Sequence, residues 1–153
     1  MITIRAATAV DRGAIIDLGL RFATSVPAFA AVVEGASSET LGLFLDVLAD
    51  MGDKATILLA VADAGRIVGC LPICEAPRLF VLTGGNIAEE LAWWVEPEHR
   101  GRAGLLLLTA AIDWARAKNL KMLKMGAPAG TQVGTLYERK GFLAVETAYL
   151  KVL

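Results

Sequence analysis

The sequence predicts an α/β domain built on a mixed, mostly antiparallel sheet, and three features of the chain support this fold class. Two runs rich in aliphatic and β-branched residues, 56–62 and 67–73, are separated by turn-forming residues, which predicts an antiparallel hairpin. Residues 87–125 have the order strand, loop, helix, strand, which is typical of a parallel crossover unit. The length of 153 residues suits one domain that can bury a substantial core.

The N-terminal third predicts one strand followed by two helices. Residues 2–7 alternate in the manner of a strand. A helix is expected over residues 11–24, with Asp11 as a candidate N-cap and Pro27 as its stop. A second helix is expected over residues 38–51, because apolar side chains recur there at helical spacing.

The remainder of the chain predicts the rest of the sheet and two further helices. The expected elements are, in order, an extension of the sheet over residues 78–83, a strand over 87–95, a helix over 102–118, a short buried strand over 121–125, a helix over 131–140 and a closing strand over 142–152. We therefore expect residues 1–153 to form a single domain.

Charge and hydropathy argue against several classes of partner. The chain carries 15 basic and 16 acidic residues, so it has no positive field to draw it to nucleic acid or anionic lipid. Hydrophobic residues make up 56% of the chain, yet no apolar run approaches the ~20 residues that a membrane span requires. The apolar excess is expected to form a large core or a homodimer interface.

The N-terminus and the cysteines indicate a cytoplasmic protein. The first residues lack the charged start, apolar middle and cleavage site of a signal peptide. Cys70 and Cys74 lie in an apolar strand, roughly 13 Å apart if it is extended, which is too far for a disulfide. We expect them to be core thiols in a reducing compartment. With one histidine, His99, the chain offers no credible metal site.

The loop before the third helix is the strongest functional signal. The sequence VEPEHRGRAG leads from an apolar strand through Arg and Gly residues directly into a long helix. The first N–H groups of such a helix have no intrahelical acceptor, and the helix dipole is positive at this end, so the loop can bind a diphosphate. A phosphate-bearing cofactor is therefore expected here.

A second phrase, LYERKGF at residues 136–142, lies about thirty residues beyond this loop. Together, the loop, this phrase and the order of elements across nearly the whole chain resemble the GCN5-related N-acetyltransferases, the GNAT superfamily. The resemblance implies acetyl coenzyme A as cosubstrate. It also implies a sheet with helices on both faces and a central pair of parallel strands that splay apart to admit the cofactor's pantetheine arm.

The cofactor loop departs from the family pattern (Q/R)xxGx(G/A) by one residue. A single-residue deletion aligns Gly104 with the second motif glycine and keeps the helix in register. The resemblance then assigns the following residues to cofactor binding: Val95, through its amide, Arg100, Gly101, Arg102, Ala103, Gly104, Leu105 and Arg139.

Transfer of an acetyl group to an amine sets the remaining chemical requirements. An alkyl amine has a pKa of about 10.4, so a base must remove its proton at neutral pH. Glu89 and Glu90 are the candidates for this base, and strand alternation directs their side chains to opposite faces of the sheet. The resemblance implies a glutamate base on this strand, which favours Glu90, and Glu89 is the second candidate. Tyr137 matches the family tyrosine that can protonate the departing thiolate.

The sequence leaves the acceptor open among a small-molecule amine, a peptide N-terminus and a lysine. The connection between the first two helices is poor in charge, and its residues Phe29 and Val32 suit an apolar pocket or a dimer contact. The expected function is an acetyl-CoA-dependent N-acetyltransferase that works by direct attack. The alternative is a non-catalytic acyl-CoA-binding or protein-interaction module on the same fold.

Overall fold

The computed structural model of the protein describes residues 1–25, 36–77, 85–149 and 151. Six strands among these residues form one sheet in the order β1-β2-β3-β4-β6, and β5 pairs with β3 beyond the end of β4. The strands span Thr3–Ala6 (β1), Ala55–Val61 (β2), Ile67–Pro77 (β3), Asn86–Glu90 (β4), Trp94–Val95 (β5) and Leu123–Lys124 (β6). The helices span Arg12–Ser25 (α1), Ser38–Asp50 (α2), Arg102–Ala117 (α3) and Val133–Arg139 (α4).

The pairing confirms the mixed, mostly antiparallel sheet. β2 and β3 form the expected hairpin, closed by a tight turn in which Ala64 and Gly65 have φ of 60° and 77°. β4 and β6 form the parallel pair, as the crossover through α3 requires.

Helices pack on both faces of this sheet, as the resemblance implied. On one face, Ala103, Leu107 and Ala111 of α3 pack on a core that includes Leu71 and Ile73 of β3. On the other face, Leu18 of α1 and Leu45 of α2 pack on Leu59, Cys70 and Trp94. Each face therefore has its own buried cluster, and the two flank the strands that carry the candidate site.

The predicted strand over residues 87–95 is wrong in one respect, because it is two strands. Glu90 pairs with Ile73, and Trp94 pairs with Cys70. The chain advances four residues from Glu90 to Trp94, whereas the opposite strand, β3, advances only three from Ile73 to Cys70. The extra residue makes a β-bulge across residues 91–93, which interrupts regular pairing and bends the strand.

The predicted closing strand over residues 142–152 is also wrong for the residues that the structure describes. Residues 142–149 have no strand pairing, and Leu143 and Val145 are 85% and 73% exposed. Apolar alternation produces a strand only where a neighbouring edge supplies hydrogen bonds and a covered face. One contact of this segment with the sheet edge is an ion pair between Glu146 and Lys124, at 2.7 Å.

Asp11 does not cap α1 in the predicted way. It ends a short 3₁₀ turn, Ala9–Asp11, and its carboxylate accepts hydrogen bonds from the backbone N–H and hydroxyl of Thr8 at 2.8 and 2.9 Å. Arg5 pairs with the same carboxylate at 2.7 Å. The predicted sheet extension at 78–83, together with Pro27, Phe29 and Val32, lies outside the described residues.

Candidate active site

The parallel strands β4 and β6 separate at the point where the bulge begins. Ala88 pairs with Leu123 and Glu89 with Lys124, so continued pairing would place Leu91 opposite Gly126. The parallel pairing instead ends at Glu89 and Lys124. The Leu91 N–H keeps its bond to the Pro72 carbonyl of β3, at 3.0 Å, and the chain continues into β5 along β3. The result is a gap between β5 and the segment after β6.

One backbone amide of β5 is directed toward this gap. The Glu96 N–H donates to the Val68 carbonyl at 2.8 Å. Residue pairs in an antiparallel ladder alternate between bonded and non-bonded, so Val95, which pairs with Gly69, has its N–H and C=O turned away from β3. The Val95 N–H therefore faces the side on which β4 and β6 separate.

The N-terminus of α3 has the geometry of an anion site. The helix begins at Arg102 after Gly101, whose φ of 84° is accessible mainly to glycine, and no side chain caps it. The first helical bond runs from the Leu105 N–H to the Gly101 carbonyl at 2.9 Å. The amides of Arg102, Ala103 and Gly104 thus precede the first intrahelical bond and have no acceptor within the helix.

The side chains around this helix start have different surroundings. Arg102, Leu105 and the distant Arg139 are exposed, whereas Ala103 is fully buried. Arg100 turns back onto β5: its Nε donates to the Val95 carbonyl at 3.2 Å, and its guanidinium lies 5.0 Å from the centre of the Trp94 ring. The Arg100 guanidinium therefore has partners on the protein itself.

Trp93 connects the start of α3 to Tyr137. A Cβ on Gly104 would lie 3.2 Å from the Trp93 ring, so this glycine permits the close approach of helix and indole. On the same face, the rings of Trp93 and Tyr137 are stacked with centroids 5.9 Å apart. The buried Trp93 Nε1 finds no acceptor among the described residues.

Glu90 and Tyr137 both bind Gly126. The Gly126 N–H donates to the Glu90 carboxylate at 2.8 Å, and the Tyr137 hydroxyl donates to the Gly126 carbonyl at 3.0 Å. Burial raises the pKa of the Glu90 carboxyl, and the bond from Gly126 opposes that shift. Burial, and then the charge of Glu90, raise the pKa of Tyr137 well above its usual value.

Glu89 lies on the opposite face, which confirms the expected divergence of the two carboxylates. It pairs across the sheet with Cys74, and its side chain binds the Lys124 ammonium at 3.0 Å. Lys124 also binds Glu146, and these two carboxylates raise its pKa. The ammonium between them therefore stays protonated at neutral pH.

A cavity of about 370 Å³ lies on the Glu89 face, between α1, α2 and the sheet. Its walls include Ile15, Phe22, Phe44, Pro72, Ala92 and Trp94, and the lining residues within the described part of the chain are all apolar, cysteine or glycine. Sequence reasoning did not locate this cavity, nor the role of Gly126, because both depend on contacts between distant segments. In the sequence, the low charge of the connection between the first two helices was the one feature that suggested an apolar pocket.

Metal-binding clusters and membrane-spanning helices are both absent from the described part of the chain. No group of three or more His, Cys, Asp and Glu side chains there is arranged to hold a metal ion. In the same residues, none of the helices combines the length and the apolar character needed to cross a membrane.

Comparison with solved structures shows the same fold in known acetyltransferases. A Trypanosoma brucei acetyltransferase is 20% identical, with TM-score 0.75 and 100% of both chains covered. The ribosomal-protein-alanine N-acetyltransferase of Brucella melitensis biovar Abortus 2308 is 20% identical, with TM-score 0.74 and 99% of both chains covered. AAC(6′)-Iy, solved in complex with the bisubstrate analogue CoA-S-monomethyl-acetylneamine, is 15% identical, with TM-score 0.78 and coverage of 100% and 98%.

Sequence comparison identifies the family. No curated protein gave a match to the chain. The model of the acetyltransferase (GNAT) family matches residues 29–142, which include the bulge, the uncapped start of α3, and Tyr137. The chain therefore belongs to the GNAT acetyltransferase family.

Proposed function

We propose that the protein is an acetyl-CoA-dependent N-acetyltransferase that transfers acetyl to a primary amine by direct attack. One observation carries this proposal: the uncapped start of α3 and the Tyr137 ring pack on the same indole, Trp93. A site for the cofactor's phosphates and a proton donor for its sulfur are thereby joined on one face of the sheet, beside the gap between β5 and Gly126. The alternative of a non-catalytic module would need no such proton donor.

The residues around the helix start fit coenzyme A. The free amides of Arg102, Ala103 and Gly104 would hold the diphosphate at the positive end of the helix dipole. The exposed Arg102 would add a guanidinium, and Arg139 would serve the 3′-phosphate. Gly101 sets the turn, Leu105 offers its partly exposed side chain, and Arg100 would hold β5 in place through the Val95 carbonyl.

Bound acetyl-CoA supplies an acetyl thioester to this gap. The Val95 N–H is directed to stabilise negative charge on the thioester oxygen while the C–N bond forms and the C–S bond breaks. The raised pKa of Tyr137 keeps its hydroxyl protonated at neutral pH but also makes it a weak acid. Its proposed role is therefore to turn from the Gly126 carbonyl, donate a hydrogen bond to the sulfur, and pass on the proton as negative charge develops there. The tyrosine regains that proton from solvent.

The amine is proposed to approach from the face of α1 and α2. The start of α3 and Tyr137 occupy the other face, and direct attack requires the acceptor to reach the carbonyl from the side opposite the cofactor. Glu89 lies on this approach face, where its carboxylate pairs with the Lys124 ammonium at 3.0 Å. We therefore assign Glu89, acting through water, as the base. Glu90 is assigned as the residue that positions Gly126 for Tyr137. This assignment reverses the sequence-based preference for Glu90 as the base.

Thermal unfolding with and without acetyl-CoA tests the cofactor site. A ligand at a hundred times its Kd adds about 2.7 kcal/mol, which raises the Tm of a domain of this size by several degrees. We expect such a rise in the wild type, a much smaller one in Arg102→Glu, and a wild-type rise in Arg116→Glu at the other end of α3. Thiol release on addition of amines then tests turnover, and a cofactor shift without any turnover would favour the non-catalytic module.

A further inference from the structure

The Arg100 side chain lies on the edge of β5 that faces the gap. Its Nε–H donates to the Val95 carbonyl at 3.2 Å. Val95 and Gly69 form a non-bonded pair of the antiparallel ladder, so the N–H and the carbonyl of Val95 leave the same edge of the strand. Arg100 is therefore beside the amide to which the proposed function assigns the thioester oxygen.

A second contact restricts the direction of the Arg100 guanidinium. The group lies over the Trp94 ring, 5.0 Å from its centre. The Trp94 side chain is buried and packs on Phe22 of α1, with the ring centres 5.7 Å apart. A guanidinium is planar and presents its N–H groups in a fixed fork, so a fixed ring beneath it also fixes the direction in which they donate.

The Val95 amide needs such support because β5 comprises two residues and follows the bulge. Among the described strands, β5 pairs with β3 alone. The next residue, Glu96, is held on both sides, since its N–H donates to the Val68 carbonyl and its carboxylate pairs with Arg21, each at 2.8 Å. On the edge that faces the gap, the bond from Arg100 takes the place of a strand partner for Val95.

The cofactor's phosphates have other donors at the start of α3. The amides of Arg102, Ala103 and Gly104 precede the first intrahelical bond, and the Arg102 side chain is exposed beside them. If Arg100 turned toward a diphosphate, it would give up both its bond to β5 and its contact with the indole. The two arginines of the loop are thus placed for different tasks.

We propose that Arg100 is a positioning residue for acetyl transfer: it holds Val95 so that the Val95 N–H meets the thioester oxygen, and it does not bind the cofactor's phosphates. This inference rests on the proposed function and adds a residue to its site. A donor that is already in place when negative charge develops lowers the barrier without reorganisation. Loss of the Arg100 side chain therefore leaves the cofactor bound but its carbonyl poorly held.

Two cofactor analogues separate these tasks in a binding experiment. Acetyl-CoA has the carbonyl oxygen, whereas S-ethyl-CoA, a thioether of nearly the same size, lacks it. Calorimetric titration gives the Kd of each, and we expect the wild type to bind acetyl-CoA about threefold or more tightly than S-ethyl-CoA, as one hydrogen bond allows. Arg100→Met should remove this preference and leave the Kd of S-ethyl-CoA nearly unchanged.

Arg102→Met is the matched control in the same loop. Both analogues carry the same phosphates, so this change should weaken both by the same factor, about fivefold or more, and leave the preference for acetyl-CoA intact. The two analogues are compared on the same variant, so a loss of folded protein would affect both measurements equally and would not change their ratio.

Turnover with 2-phenylethylamine, a simple alkyl amine, adds a kinetic readout. A positioning role predicts that Arg100→Met lowers kcat roughly tenfold with little change in KM for acetyl-CoA, because the misplaced amide matters most in the transition state. Arg102→Met should instead raise that KM. The ratio of the two Kd values decides the question even if this amine is not an acceptor.

The outcomes separate this inference from the proposed function. Equal weakening of both analogues by Arg100→Met would make Arg100 a phosphate ligand, which would overturn the inference and leave the cofactor site standing. A preference that survives in Arg100→Met, or that the wild type lacks, would also overturn it. Absence of acetyl-CoA binding by the wild type at millimolar concentration would overturn the proposed function itself.

Discussion

Glu90 and Tyr137 bind the two ends of one residue, Gly126, the first through its N–H and the second through its carbonyl. Each bond is between a side chain and backbone from a distant part of the chain, and together they link the end of β4, the end of β6 and α4. The two side chains also act on each other, because the Glu90 charge contributes to the raised pKa of Tyr137. The protonation of Glu90 and the position of the Tyr137 hydroxyl are thus coupled.

Tyr137→Phe tests the proton donor. The ring still stacks on Trp93, so acetyl-CoA affinity should change little, but the leaving sulfur loses its proton source and kcat should fall roughly 10–100-fold. Thiol release measures kcat, and the acetyl-CoA-dependent rise in Tm reports the affinity. Tyr149→Phe, at a residue that is 89% exposed, is the matched control and should retain full activity. An equal kcat in Tyr137→Phe would remove the tyrosine from the mechanism.

Glu90→Gln tests the cost of the buried carboxylate. Burial raises the pKa of Glu90, so its charged form is disfavoured in the folded state. Ionisation of Glu90 therefore lowers the free energy of unfolding. This destabilisation is absent below the unfolded pKa of about 4.3 and grows as pH rises through the folded pKa. Glutamine can still accept from Gly126 but carries no charge. We expect the Tm at pH 7 to rise by about 1–3 °C, and the gain to shrink near pH 4.

Glu89→Gln is the comparison for that stability measurement. It removes a charge that binds Lys124 rather than a buried one, so it should not raise the Tm. A fall in Tm at pH 7 for Glu90→Gln would mean that its ionised form stabilises the fold, contrary to the raised pKa.

The elements that the sequence predicted well are those with local causes. The hairpin turn at Gly65, the start of α3 at Arg102 and the apolar stripe of α2 all depend on residues close together in the chain. The bulge at residues 91–93 arises because this segment has one residue more than the stretch of β3 that it pairs with. A local sequence pattern contains no information about that difference. The closing strand failed for a related reason, since alternation at Leu143 and Val145 does not supply a partner edge.

The candidate site likewise contains residues that a local motif indicates and residues whose role depends on distant contacts. Tyr137 and the loop at Gly101 could be proposed from the sequence because each belongs to a short motif with a chemical rationale. Gly126 could not be found, because its role comes from two side chains that are 36 and 11 residues away. The stacking of Arg100 on Trp94 was missed as well, since a cation beside a phosphate loop gives no sign that it turns toward the protein.

Glu89→Gln in the transfer assay tests the assignment of the base. If Glu89 takes the amine proton through water, kcat/KM for 2-phenylethylamine at pH 7 should fall roughly 10–100-fold, and the deficit should shrink toward pH 10 as the free amine becomes abundant. Glu90→Gln should have the smaller effect, and one without this alkaline recovery. A larger, alkali-rescued loss in Glu90→Gln would instead make Glu90 the base.

Gly104 tests the contact between the start of α3 and Trp93. A Cβ at this position would lie 3.2 Å from the indole, and the larger Val side chain would have to displace the ring or the helix, at a cost of about 1–3 kcal/mol. We expect Gly104→Val to lower the Tm by several degrees and to weaken acetyl-CoA binding, because the amides of the first turn move with the helix.

The matched control for this contact is Gly13 in α1, where a Cβ would have no heavy atom within 4 Å outside its own stretch of helix. Gly13→Ala should raise the Tm, since alanine favours a helix by up to about 1 kcal/mol over glycine. Gly104→Ala should gain less than Gly13→Ala or lose stability, because the same helical preference is opposed by the indole. Equal gains at both positions would show that Trp93 yields without cost and that the close approach does not constrain the cofactor loop.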